Sequence, residues 1–176
     1  KYYKLLPWGN LREPLKNIGR ANLVIYTKTD NYKLPKIHFN IKPFIKSKYI
    51  TSISIYTLMK YDNLLFHKTS PKDKAFFAFC GIADPQSFIR SAKECSLQIK
   101  GSKFFNDHQD YTESVIKELT EEIRVNAICN VVTTEKDIVK LPNSFLSEFE
   151  IYIIKINMKF QKNSDLINQI QFTINN

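Results

Sequence analysis

The residues with the clearest capacity for chemistry are Asp107 and His108, which stand together in the stretch FFNDHQDY at positions 104–111. This stretch comes directly before a predicted helix, whose positive end disfavours a second proton on the imidazole. A neutral imidazole beside a carboxylate could relay a proton or orient a hydroxyl nucleophile, and amides at the helix start could bind a phosphate oxygen. A second interpretation stays open on spacing alone, in which His108 only helps Asp110 to cap the helix.

A second candidate group is the pair Arg12 and Glu13 in the stretch LLPWGNLREP at positions 5–14. Pro14 keeps Glu13 extended and opens a predicted helix. The arginine could bind phosphate oxygens through two parallel hydrogen bonds, and the glutamate could reach a phosphate-bound Mg²⁺ directly or through water. The alternative is a surface ion pair at a helix start, which contributes little to stability.

A third candidate group, Lys136 and Asp137, belongs to the stretch TTEKD at positions 133–137, which follows a predicted strand. Two other polar stretches follow predicted strands in the same way, TKTD at 27–30 and GIADP at 81–85. Because ligands in open α/β sheets bind at the carboxyl ends of the strands, we expect the three stretches to face one crevice. A solvated loop is the alternative interpretation for the charges around Asp137.

Two kinds of site lack support in the sequence. The stretch TKTD resembles the guanine-reading element of P-loop GTPases, but a strand that ends in a turn also explains it. The phosphate loop G-x-x-x-x-G-K-[ST] is missing, since none of the 4 glycines is followed by lysine. No two of the 3 histidines have the spacing of metal ligands, so we expect no metal site held by this chain alone.

The composition indicates one complete domain or parts of two, because the 176 residues are 43% hydrophobic and include 13 Phe and 9 Tyr. The 3 cysteines form no C-x-x-C pair, which predicts reduced thiols in a cytosolic compartment. A net charge of +9 favours anionic partners such as phosphates, nucleic acid or acidic lipid headgroups. No apolar run reaches the roughly 18 residues of a membrane span. The chain begins at Lys1, and we expect further sequence upstream of it.

Strands alternate with helices in the predicted secondary structure, which indicates an α/β fold with a mostly parallel, Rossmann-like sheet and helices on both faces. Apolar and β-branched runs predict five strands, at 23–27, 50–56, 75–80, 127–132 and 150–156. Capping signals predict four helices: one opened by Pro14, one capped by Asp84, one from about Tyr111 to Val125 capped by Asp110, and one capped by Ser164 or Asp165.

The segment 42–72 breaks this alternation, because Tyr61, Asp62 and Asn63 separate two strand-like runs. A hairpin or a linker between subdomains fits the pattern. The predicted division is the end of a nucleotide-binding core domain at 1–45, a strand-rich linker at 46–72, a smaller C-terminal α/β domain at 73–160, and a C-terminal helix and tail at 161–176.

Four stretches, in this order, resemble the second half of the tetraacyldisaccharide 4'-kinases, the lipid A kinases of Gram-negative bacteria. They are LLPWGNLREP, FCGIADPQSF, FFNDHQDYT and TTEKDIVKLP, and they reach from residue 5 to residue 142. The resemblance implies part of a larger P-loop kinase that transfers the γ-phosphate of ATP, with Mg²⁺, to the 4'-hydroxyl of an acylated glucosamine disaccharide phosphate. It also implies a peripheral protein at the cytoplasmic face of the bacterial inner membrane, and we expect a monomer.

The resemblance assigns roles to the candidate residues. His108, with Asp107 beside it, would be the catalytic histidine, which works in the family with an aspartate from the earlier half. Arg12 and Glu13 match a motif that lies near the phosphates and the metal. The pair at positions 136 and 137 matches a family loop whose role is less defined.

Two positions depart from the family pattern, Trp8 where a small residue is common and Asn106 where proline is common. Neither change removes a reactive group. The family's phosphate loop, acidic metal-binding motif and membrane-associating helix would lie upstream of Lys1, so we expect this chain alone to be inactive.

Two alternatives to the kinase remain from the sequence. One is a non-catalytic basic α/β module that binds anionic lipid or nucleic acid, and the other is a fragment of a P-loop GTPase. We expect no nucleic-acid partner, because the sequence has no dense basic run interleaved with aromatic residues.

Overall fold

A computed structural model of the chain describes residues 4–9, 11–62, 64–70, 73–161, 166–168 and 170–172. The strands are β1 (Leu23–Tyr26), β2 (Lys48–Asp62), β3 (Leu65–Lys68), β4 (Ala75–Cys80), β5 (Gln98–Phe104), β6 (Asn130–Thr133) and β7 (Glu150–Phe160). The α-helices are α1 (Ile37–Ile41), α2 (Pro85–Glu94), α3 (Glu113–Val125), α4 (Glu135–Ile138) and α5 (Asn143–Glu148). Short 3-10 helices lie at Leu15–Arg20, Asp30–Tyr32 and Lys42–Phe44.

The chain divides into two compact units. The first unit consists of Lys1–Ile55 and Asn157–Asn176, and the second unit consists of Tyr56–Ile156. Strands β2 and β7 each contribute residues to both units.

In the first unit, β1 pairs in parallel with the beginning of β2. Val24, Tyr26 and Ile41 form its buried hydrophobic core. The Tyr26 hydroxyl and His38 Nδ1 lie 2.8 Å apart inside this core, so the histidine is a hydrogen-bonded packing residue. The helix predicted to open at Pro14 is a 3-10 helix.

The second unit is built around β4. Its strand order is β2, β7, β6, β4 and β5, and β4 pairs in parallel with both β5 and β6. The sequence of β4, AFFAFC, has no polar alternation, which is typical of a parallel strand covered on both faces. Phe76, Phe77, Ala78, Phe79 and Cys80 all have 0% of their surface exposed.

Alternate β4 side chains pack into two different hydrophobic clusters, as the two-residue period of a strand requires. Phe77 and Phe79 pack in one cluster with residues of α3 and α5. Phe76 and Ala78 pack in the other cluster with residues of α2. Helices therefore cover both faces, and the predicted α/β class with a mostly parallel sheet is confirmed.

Strand β5 and the start of α3 differ from the prediction. Strand β5 was not predicted, because its sequence QIKGSKF carries polar residues and a glycine, as suits a strand at the edge of a sheet. The helix begins after Thr112, not after Asp110, so the capping role predicted for Asp110 is wrong. The reason is Tyr111, whose ring packs against Phe79 and Phe105 and keeps the preceding chain out of the helix.

The predicted hairpin is present, since Met59–Asp62 of β2 pairs antiparallel with Leu65–Lys68 of β3. The helix capped by Asp84 also begins as predicted, because the Asp84 side chain accepts a hydrogen bond from the Ser87 amide. Ser164 and Asp165, the predicted caps of the last helix, lie outside the described residues.

A β-carbon at Gly101 would lie 2.7 Å from the Phe77 ring, a distance that β-carbons do not tolerate. We predict that Gly101→Ala lowers the free energy of unfolding by about 1–3 kcal/mol, because the buried ring must shift. Urea unfolding followed by circular dichroism measures this change. The neighbouring exposed substitution Ser102→Ala should alter stability by less than about 0.5 kcal/mol, and an equal loss in the two variants would contradict the steric explanation.

Glu150, at the start of β7, accepts hydrogen bonds from Lys74 and from the Tyr152 hydroxyl. These bonds lower the pKa of its carboxyl to about 2. A carboxyl with a lowered pKa in the folded state stabilises the protein above its unfolded-state value of about 4.3, and this contribution is lost as the pH falls towards 2.

We therefore predict that wild type exceeds Glu150→Gln in unfolding free energy at neutral pH, and that the difference shrinks as the pH drops from about 4.5. The effect should be small, because the side chain is 43% exposed. Urea titrations between about pH 3 and 7 measure it. Exposed Glu121→Gln is the control, and the same pH trend in that variant would contradict the assignment.

Candidate active site

The loop between β5 and α3, residues 105–112, carries Asp107 and His108 and is called the DH loop below. His108 has a φ of 61°, in the left-handed region. Its side chain is 85% exposed and its Nε2 lies 3.8 Å from Asp107 Oδ2. The other carboxylate oxygen, Asp107 Oδ1, accepts a hydrogen bond from the His108 amide. The imidazole is thus open to a ligand and has a carboxylate at its side.

The DH loop is attached to its surroundings at several backbone groups. The Phe105 amide donates to the Cys80 carbonyl at 2.9 Å, which continues the pairing of β5 with β4. The Gln109 amide donates to the Asn106 carbonyl and closes a turn around His108. Lys140 Nζ donates to the Gln109 carbonyl at 3.0 Å. These contacts fix the backbone on both sides of the exposed histidine.

Asp137 lies under this region and is 1% exposed. Its Oδ2 accepts hydrogen bonds from the Gly81 amide at 3.1 Å and from the Thr134 hydroxyl at 2.6 Å. Thr134 is the N-cap of α4 and its hydroxyl in turn accepts from the Asp137 amide. The carboxylate therefore acts inside the protein, and it joins the residue after β4 to the start of α4.

Tyr111 and Cys80 are the other ionisable groups around this carboxylate. Burial raises the pKa of the Tyr111 hydroxyl well above its usual range, and the Asp137 charge raises it further. Burial, followed by the same charge, raises the pKa of the Cys80 thiol to about 12. The Tyr111 hydroxyl and Asp137 Oδ1 are both buried, and within the described residues neither has a partner in full hydrogen-bond geometry. The two groups are nevertheless close enough for the carboxylate to act on the tyrosine.

Gly81 brings the DH loop and Asp137 together. A β-carbon at this glycine would lie 3.0 Å from Gln109 Cβ, 3.1 Å from the Asn106 carbonyl oxygen and 3.2 Å from Asp137 Oδ1. Two of the three polar stretches expected to share a crevice, GIADP and TTEKD, therefore meet here, with the DH loop above them. Lys136, beside Asp137, is exposed.

Arg12 and Glu13 lie in the first unit. Both are exposed, and the Glu13 carboxylate pairs with Arg20 and accepts a hydrogen bond from Asn17 Nδ2 at 3.1 Å. The ion-pair partner of Glu13 is thus Arg20, at the end of the following 3-10 helix, and not the adjacent Arg12. The TKTD stretch also lies in the first unit.

Within the part of the chain that the structure describes, no group of three or more His, Cys, Asp or Glu side chains is arranged to hold a metal ion. No helix among the same residues is long and apolar enough to cross a membrane.

Residues 2–175 match the family model described as tetraacyldisaccharide-1-P 4'-kinase, LpxK. The chain belongs to this kinase family. The resemblance carried by the four sequence stretches is therefore confirmed at the level of the family.

Individual relatives agree with the family match. A tetraacyldisaccharide 4'-kinase of Chlorobaculum parvum is 40% identical over 138 residues, which are 76% of this chain and 37% of the relative. One of Chlorobium limicola is 29% identical over 170 residues, 93% of this chain and 48% of the relative. A crystal structure of LpxK from Aquifex aeolicus in complex with ATP superposes with a TM-score of 0.63 at 25% identity, covering 96% of this chain and 47% of that one. The chain thus spans less than half the length of these relatives.

Sequence reasoning missed the residues that support the DH loop. Gly81 and Tyr111 belong to the stretches GIADP and FFNDHQDY, in which the sequence indicates a chemical role only for Asp107 and His108. The available signal was the glycine directly after an all-apolar strand, a place where a close approach by another backbone is common. Tyr111 gave no signal of its own, because its buried hydroxyl depends on the packing of the loop.

The thiols provide a test of how closely this region is packed. Cys80 is buried with a pKa raised to about 12, whereas Cys129 is exposed. Because the thiolate is the reactive form, burial and the raised pKa leave Cys80 much less reactive than an exposed thiol at pH 8. We predict that iodoacetamide labels Cys129 in the native protein and Cys80 only after unfolding, as peptide mass spectrometry would show. Rapid native labelling of Cys80, unchanged in a Cys129→Ser variant, would mean that the region under the DH loop opens.

Proposed function

We propose that this chain is the C-terminal part of a lipid A kinase, which transfers the γ-phosphate of ATP to the 4'-hydroxyl of tetraacyldisaccharide 1-phosphate. The observation that carries the proposal is the family match over residues 2–175. The similarity to a kinase structure in complex with ATP supports ATP as the phosphate donor. These matches favour the kinase over a basic binding module or a GTPase fragment.

In the proposed reaction, the bond between the γ-phosphorus and the bridging oxygen breaks while the 4'-hydroxyl oxygen bonds to phosphorus and loses its proton. We assign His108 to that hydroxyl, where an imidazole can accept or orient the proton. Its high exposure and fixed backbone support this role. Asp107, 3.8 Å from Nε2, would stabilise the imidazole when it carries the proton.

The remaining candidate residues would bind the charged groups of the substrates. Arg12 and Lys136 are exposed cations suited to phosphate oxygens, and Glu13 is a carboxylate suited to Mg²⁺ bound to those phosphates. When bound, Mg²⁺ would neutralise charge on the transferring phosphoryl group. Asp137 would act beneath the DH loop without touching the substrates, since its carboxylate is buried.

We further propose that this chain alone is inactive, because it contains no phosphate-loop sequence and phosphoryl transfer depends on positioning around the γ-phosphate. The proposed site of action is the cytoplasmic face of the bacterial inner membrane, with the protein peripheral and monomeric. A net charge of +9 and the exposed side chains of Trp8 and Phe39 in the first unit suit an anionic lipid surface.

The test is His108→Ala in the full-length protein, with ATP and tetraacyldisaccharide 1-phosphate as substrates. Loss of a proton-transfer group should lower kcat by roughly 10²- to 10⁴-fold, with a smaller change in the KM for ATP. Radiolabelled phosphate transferred to the lipid measures the rate.

The matched control is His67→Ala, which removes another exposed histidine of the second unit. Its turnover should equal that of wild type. Wild-type turnover in His108→Ala would remove His108 from the mechanism, and a wild-type protein with no transfer to the disaccharide would refute the proposed function itself.

A further inference from the structure

We propose that Asp137 is a positioning residue whose buried carboxylate, acting through Gly81 and Tyr111, fixes the DH loop and with it the His108 imidazole. The position of the loop follows from the hydrogen bond between Gly81 and Asp137 and from the close contacts of Gly81 with the loop. The part of the inference that concerns the reaction rate rests on the proposed function.

The Asp137 carboxylate is buried and has almost no access to water. A carboxylate that is 1% exposed is costly unless hydrogen bonds replace its water. The Gly81 amide and the Thr134 hydroxyl provide two such bonds to Oδ2. Because the cost returns if either bond is broken, the chain after β4 and the chain before α4 are held in one fixed arrangement around Asp137.

Gly81 is in close contact with the DH loop. The Asn106 carbonyl oxygen and Gln109 Cβ lie 3.1 and 3.0 Å from the place where a β-carbon of Gly81 would stand. These two residues flank Asp107 and His108 in the sequence. The glycine therefore lets the loop lie directly on the backbone that Asp137 holds, and a β-carbon at this position would require its neighbours to move by a few tenths of an ångström.

Tyr111 holds the far end of the DH loop by ring packing. Tyr111 packs its ring against Phe79 at 5.9 Å and Phe105 at 5.5 Å between ring centroids. Its hydroxyl is buried beside Asp137, whose charge acts on it. The same carboxylate thus binds the Gly81 amide and lies near the Tyr111 hydroxyl at the far end of the loop.

His108 has a left-handed backbone conformation. Its φ of 61° is unfavourable for a residue with a β-carbon, so the surroundings must hold it there. The turn from Gln109 to Asn106 and the Lys140 bond to the Gln109 carbonyl hold it, and both involve the residues that contact Gly81. A change at Asp137 should therefore reach the imidazole, although the two side chains are not in contact.

The experiment compares Asp137→Asn, Gly81→Ala and Tyr111→Phe in the full-length protein. The first readout is the His108 ring signal in a carbon–proton correlation spectrum of histidine-labelled protein, assigned by its loss in His108→Ala. We expect the signal to move or broaden in all three variants. If Asp137→Asn does not fold, Tyr111→Phe, which keeps the ring, carries the same comparison.

Two control variants separate positioning from a general loss of stability. Glu135→Gln removes an exposed carboxylate from the same short helix as Asp137. Gly101→Ala introduces a β-carbon that meets Phe77 and Asn126, neither of which belongs to the DH loop. Gly101→Ala should lower the melting temperature, yet both controls should leave the His108 signal where it is in wild type.

The second readout is kinetic. In the folded variants we expect kcat to fall roughly 10- to 100-fold, as for a misplaced catalytic group, while the KM for ATP changes by less than about threefold. The controls should keep the wild-type kcat.

An unmoved His108 signal in folded Asp137→Asn would overturn the inference whatever the activity. A moved signal with wild-type kcat would also overturn it, since the position would then not matter to the reaction. If wild type transfers no phosphate to the disaccharide, the proposed function fails, and the spectra alone then support or overturn the role of Asp137 in holding the loop.

Discussion

The hydrogen bond from the Gly81 amide to the Asp137 carboxylate joins two parts of the chain that are 56 residues apart in sequence. Its donor follows β4 and its acceptor lies in α4, just after β6. These strands are parallel neighbours, so their carboxyl ends lie at the same edge of the sheet. A buried carboxylate needs such a donor, and the donor is available only when both strands are in register. The candidate site thus depends on the pairing of the central strands.

The order of the strands explains why polar residues of separate stretches come together. In the second unit β4 lies between β6 and β5, and all three run in parallel. The chain leaving each strand therefore emerges on one side, which brings GIADP, the DH loop and TTEKD into contact. Apolar residues on both faces of β4 set this order, because only a strand at the centre of the sheet can bury five consecutive side chains completely.

The sequence predicted the parts of this arrangement that depend on local patterns. Strand β4 was predicted with its observed bounds, and α2 begins after its Asp84 cap, because an uninterrupted apolar run and an Asp-Pro pair are local signals. Strand β5 escaped prediction, since an edge strand with several polar residues, among them the exposed Lys100, has little hydrophobic periodicity. Long-range partners were also out of reach. Nothing local indicates that the Asp137 carboxylate is buried against Gly81. Nor does a local signal show that Tyr111 belongs to the loop before α3 and not to the helix itself.

The backbone of His108 bears on why a histidine stands in this loop. A left-handed φ costs a residue with a β-carbon about 1–2 kcal/mol, and glycine would avoid most of that cost. Other described residues share this conformation, among them Lys28 and Ser96, so the φ alone does not mark a functional position. At His108 the ring is 85% exposed and the backbone on both sides is hydrogen-bonded. Because an exposed ring makes few packing contacts, folding stability gives little reason for a histidine here, and this supports the proposal that the imidazole acts on a substrate.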